Sequence, residues 1–99
     1  MNQINIGTVI TASGVITAKE GVLEQIIVAT DGTNSVTLSL YDNASAASGT
    51  LVIPTMVFTS SSVDRIQTLP VANKKFFNGL YASVTCSGTF GLVACYHND

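Results

Sequence analysis

Charged residues are what this sequence has least of. Asp, Glu, Lys and Arg make up 10% of its 99 residues, against about 25% in a typical globular protein. Four cations stand against six acids, for a net charge of −2 and a pI of about 5.0. Without a basic patch there is nothing to hold a phosphate backbone, so no nucleic-acid partner is expected. Tryptophan is absent, histidine occurs once and proline twice. Mean hydropathy is high at +0.43. Even so, no apolar run approaches the ~20 residues that span a bilayer, and no membrane partner is expected. The opening MNQINIGTVI has neither the basic leader nor the continuous apolar core of a secretion signal. Synthesis in a cytoplasm is expected, and Cys86 and Cys95 require no oxidising compartment.

Ser, Thr, Asn and Gly stand where charge is missing. Val, Ile and Thr are abundant between them, and this mixture reads as strands punctuated by turns. Ile4–Thr11 reads as a strand, with Gly14–Ala18 a second short one or its continuation past a bulge at Ser13-Gly14. Gly21–Thr30 is a strand. Its Val22, Leu23, Ile26 and Ile27 would also suit a helix face, but crowded β-branched residues and flanking Gly21 and Asp31-Gly32 favour the strand. Asp31-Gly32-Thr33-Asn34 supplies the positive φ of a tight hairpin turn. Ser35–Tyr41 alternates, with Val36, Leu38 and Leu40 on one face and Thr37, Ser39 and Tyr41 on the other. Leu51–Thr59 carries Pro54, which belongs on an edge strand. Ser60–Ser62 reads as a loop and Val63–Val71 as an extended segment ending near Pro70. Leu80–Cys86 and Phe90–His97 read as a terminal hairpin around Ser87-Gly88-Thr89. The sum is all-β: a single β-sandwich of about eight short strands over residues 1–99, jelly-roll-like or immunoglobulin-like, with Met1–Ile6 as an N-terminal arm.

Candidate chemistry is sparse. His97 has Cys95 two residues away, but zinc needs three or four ligands, so a solvent-facing or terminal histidine is expected and no metal is expected. In either register of the terminal hairpin, Cys86 and Cys95 lie too far apart for the ~7 Å that a disulfide allows. They read as two small hydrophobes. Asp31, Asp42 and Asp64 sit at turns; the oxygens of Asp31–Asn34 and Asp42-Asn43 would suit calcium, and simple turn formation explains all three. Tyr41, Tyr81 and Tyr96 offer rings for a sugar, or else serve rim and core. Lys74-Lys75-Phe76-Phe77 is either a contact patch or a loop entering a core strand. No nucleophile has a base beside it, no two carboxylates share a short motif and no glycine loop precedes a helix. Neither catalysis nor a cofactor is expected.

The order of blocks is more telling than any one motif. Gly21-Val22-Leu23 leads into Ile26–Thr30, then Gly32-Thr33-Asn34, Val36–Asn43 and Ala46–Thr50. Later, Phe77–Val84 precedes a last strand. This succession resembles the small β-sandwich structural proteins of tailed bacteriophages, among them capsid decoration (cement) proteins and neck or fibre modules. The interval Leu51–Lys75 departs from the pattern. The resemblance implies a virion component assembled from identical copies, with a trimer favoured. As a decoration protein it would bind and stabilise the shell of the major capsid protein. The alternative is a tail, neck or fibre module that binds a receptor or glycan. Asn43, Ala44 and Ser45, in the loop of small residues to Gly49, and Lys74, Lys75 and Phe76 are the expected partner contacts. The Met1–Ile6 arm is a third.

Overall fold

The computed structural model describes residues 5–6, 9–60 and 65–98. Eight strands are present among them: β1 (Asn5–Ile6), β2 (Gly14–Thr17), β3 (Gly21–Thr30), β4 (Val36–Tyr41), β5 (Leu51–Phe58), β6 (Ile66–Phe76), β7 (Leu80–Cys86) and β8 (Phe90–Asn98). Sheet I has the order β1-β8-β3-β6 and sheet II the order β2-β7-β4-β5. Strands pair antiparallel as 1 with 8, 2 with 7, 3 with 6 and 4 with 5. That is one long hairpin of paired ribbons. Wrapping it sets β8 against β3 and β7 against β4, which is the strand order of a jelly roll.

The alternation in sequence decides which face goes inward. Successive side chains on a strand point to opposite sides. Val36, Leu38 and Leu40 of β4 are therefore buried together, and they meet Leu23, Ile26 and Val28 of β3 across the sandwich. Both prolines lie on edge strands, Pro54 on β5 and Pro70 on β6, where a missing N–H interrupts least.

Several expected boundaries differ. The turns at Asp31–Asn34 and Ser87–Thr89 are not hairpins, because each joins strands of different sheets. An Asp-Gly pair specifies a local φ, and Gly32 does have φ 86°. It does not specify that the next strand pairs with the last. Among the described strands only β4 and β5 are consecutive neighbours in one sheet. Of the expected strand Ile4–Thr11, Asn5–Ile6 is strand and Ile10 makes a single bridge to Leu92, while Ile4, Gly7 and Thr8 lie outside the described residues. Residues 11–13 then bend, and β2 joins the other sheet instead of continuing the first. The register shift in β2 falls between Val15 and Thr17, not at Ser13-Gly14. Strand β6 runs through Pro70 to Phe76 because a bulge absorbs the interruption. Leu23 faces Lys74 and Gln25 faces Pro70, and Asn73 in between takes a left-handed φ of 59°. Ser61, Ser62, Val63 and Asp64 of the expected loop and extended segment lie outside the described residues, as do Met1–Ile4 of the expected arm. Asn5 and Ile6 of that arm are strand-paired with Tyr96 and Cys95.

The run Lys74–Phe77 splits at the end of β6. Phe76 is fully buried and meets Tyr96 edge to face, with ring centroids 6.4 Å apart. Phe77 is 66% exposed. Replacing Phe76 by Ala is expected to cost about 3–5 kcal/mol of stability, and Phe77→Ala less than about 0.5 kcal/mol. Urea unfolding of the two variants checks this, and equal losses would contradict the burial.

Candidate functional site

The stretch Asp42–Thr50 leaves β4 at one end of the sandwich. Asp42 closes its neck: its N–H donates to the Thr50 carbonyl at 2.8 Å. The Asp42 carboxylate accepts the Phe77 N–H at 3.0 Å and the Asn78 N–H at 2.6 Å. Asn43 organises the loop from inside. Its Oδ1 accepts the N–H groups of Ser45 at 2.9 Å and Ala46 at 3.0 Å, an Asx-type turn. Its Nδ2 donates to the Ser48 carbonyl at 3.1 Å. Small residues are required where the loop meets the β6–β7 turn. Gly79 has φ 151°, and a Cβ there would lie 2.8 Å from the Thr17 carbonyl oxygen and 2.9 Å from the Ala44 Cα.

Two segments expected as separate contacts therefore adjoin. Beside them a groove of about 420 Å³ is lined by Asp42 and Thr50 at the neck of the loop and by Leu51, Lys74, Lys75 and Phe77, among others, while Asn43, Ala44 and Ser45 do not line it. Lys75 Nζ stands 3.7 Å from Glu20 and 5.8 Å from the Phe77 ring centroid. Asn43, Ala44, Ser45, Lys74 and Lys75 all reach the surface. Phe76 does not, because its ring is in the core; the exposed aromatic is Phe77. The boundary decides it: Phe76 is the last residue of β6 and turns into the core, while Phe77 lies in the bend that follows.

The opposite end is built the same way, around Asp31. Its Oδ1 accepts the N–H groups of Thr33 at 2.8 Å and Asn34 at 2.7 Å. Its Oδ2 accepts from Asn34 Nδ2 at 2.9 Å and from the Thr89 N–H at 3.3 Å, tying two crossover loops together. These donors hold the Asp31 carboxyl well below the usual carboxylate range, the Asn34 side chain contributing most. The calcium reading fares poorly at both places, because N–H groups face the carboxylate oxygens of Asp31 and Asp42 where a cation would sit. Asp64 lies outside the described residues.

His97 is a terminal histidine that is only partly covered. Its side chain is 17% exposed, and Nδ1 lies 3.3 Å from Glu24 Oε2 on the outer face of sheet I. The bulge in β3 between Leu23 and Gln25 brings Glu24 there. Both cysteines are free, and they stand in different sheets, which separates them more firmly than a hairpin register does. Cys95 is buried, and Cys86 is only half-buried. The tyrosines divide as well. Tyr96 packs inward on Phe76, while Tyr41 and Tyr81 are cross-strand partners on sheet II.

Two outcomes follow from the loop geometry. Gly79→Ala must strain φ and displace backbone, with an expected loss of about 1–3 kcal/mol and a lower melting temperature. Asp31 has a folded-state pKa below its unfolded value near 3.9. Its contribution is therefore complete above that value and lost as pH falls through it. The melting-temperature gap between wild type and Asp31→Asn should be widest above about pH 5 and shrink on acidification. A gap constant down to pH 2 would contradict it.

No protein-family model matches the chain, and neither the curated proteins nor the solved structures yield a match.

Proposed function

We propose that this chain is a non-enzymatic docking module of a tailed-phage virion. It binds the shell of the major capsid protein through the Asp42 end and stabilises it, as a decoration protein assembled from identical copies. The observation that carries the docking reading is the pre-ordered ledge itself. Asp42 and Asn43 already fix the loop by hydrogen bonds, so ordering it on a partner costs little entropy. Phe77 projects beside Lys74 and Lys75 at the groove, the form of an aromatic anchor with a polar rim. Its virion location is supported by the order of sequence blocks, not by the fold, since one fold hosts many functions. On this reading the chain is made in the host cytoplasm, works in the virion and binds neither nucleic acid nor membrane.

The alternative is a tail, neck or fibre module that stacks a receptor sugar on tyrosines. It loses one of its three rings, because Tyr96 is turned into the core.

Quantitative mass spectrometry of particles carrying this chain tests the location. Amounts comparable to the major capsid protein are expected. A handful of copies would move the site to neck, tail or fibre, and absence from purified particles would overturn the virion reading. With shells in hand, Lys74→Glu combined with Phe77→Ala should weaken co-sedimentation at least about tenfold without lowering the melting temperature of the free protein.

A further inference from the structure

The few charges are unevenly placed. Sheet I carries Glu24, Lys74, Lys75 and His97 on its strands, whereas none of the four strands of sheet II contains Asp, Glu, Lys, Arg or His. A solvated face of an antiparallel sheet is ordinarily polar. The outer face of sheet II is polar without charge. One row crosses all four strands in register: Val15 faces Tyr81, Tyr81 faces Tyr41 and Tyr41 faces Leu51. Val15 is 42% and Leu51 38% exposed. Next along the strands comes a row of hydroxyls, with Ser83 opposite Ser39 and Ser39 hydrogen-bonded to Thr55 at 2.9 Å. Beyond it Thr85 faces Thr37 and Thr37 faces Val57, which is 59% exposed.

We infer that the outer face of sheet II is the surface on which a second copy of this chain packs, sheet on sheet, around the Tyr41–Tyr81 row. This rests on the homo-oligomer part of the reading above and not on its shell part. Charge selects the occupant. Two such faces meet without like-charge repulsion and without stripping water from an ion, whereas a charged partner would leave its ions unpaired against this face. Tyrosine and hydroxyl rows are self-complementary, since each hydroxyl both donates and accepts. Edge pairing is the competing mode. Strand β5 resists it, because Pro54 lacks an N–H and the β4–β5 register shifts on both sides of Leu40.

The geometry also sets the strength. Four strands at ~4.8 Å and three outward rows at ~6.6 Å make roughly 400 Å² of flat sheet per copy. For the pair that is about 800 Å² in total, below the about 1,200–2,000 Å² of standard specific interfaces and in the range of weak, transient ones. The pair is therefore a two-fold, reversible dimer and not a trimer.

Sedimentation velocity on the full chain over a wide concentration range tests this. The wild type is expected to shift from monomer to dimer as concentration rises. Ser83→Glu and Tyr81→Lys each place a charge on the face and are expected to raise the dimer dissociation constant at least tenfold. Two variants are used in case one fails to fold, which circular dichroism checks. Thr68→Glu, an exposed position on β6 in sheet I, should associate as wild type does. A wild type monomeric at every concentration overturns the inference. So does a trimer, or a dimer indifferent to Ser83→Glu. A strictly monomeric wild type whose glycan-array binding is lost in Tyr81→Lys would assign the face to a sugar instead. None of these results touches shell binding, which is read separately by the Lys74 and Phe77 variant.

Discussion

Burial of one face of each sheet against the other is the constraint that the rest of the molecule obeys. Leu23, Ile26 and Val28 of β3 and Val36, Leu38 and Leu40 of β4 are all within 1% of complete burial. They belong to consecutive strands in opposite sheets. The chain must therefore cross the sandwich at Asp31–Asn34 instead of turning back on itself. Once that crossing is made, Phe76 and Leu80 complete the core from β6 and β7.

Each end is sealed by a carboxylate that gathers backbone N–H groups from a second loop. Asp31 reaches Thr89 across 58 positions of sequence, and Asp42 reaches Phe77 across 35. In a chain with six acids, two are committed to this task. The same device orders the Asn43 loop, so the residues suited to meeting a partner are held rigid by local chemistry and not by packing.

Charge is kept on sheet I and the loops, and the outer face of sheet II has none. The two proposed contacts follow from that separation. The Asp42 end offers lysines beside an exposed ring, suited to a large partner with polar groups of its own. The neutral face suits a surface equally free of ions, which is the basis for proposing another copy there.

Within the described residues, the strands were largely legible from the chain alone. Alternation in Val36–Tyr41, the Asp-Gly turn and the placement of prolines at edges are local properties, set by Cβ sterics and by the period of two. The pairing of strands was not legible. A turn signal states how the backbone bends, and only the burial of two apolar faces decides whether the next strand lies beside the last or across from it. That is why two expected hairpins became crossovers. The site shows the same division. That Asn43–Gly49 and Lys74–Phe77 were unusual could be read from composition and sequence order. Three further facts needed the sandwich: that the two segments meet over Gly79, that Phe76 turns in while Phe77 turns out, and that Tyr41 and Tyr81 fall side by side. Side-chain parity is written in the sequence, but which strands share a sheet is a long-range outcome of packing.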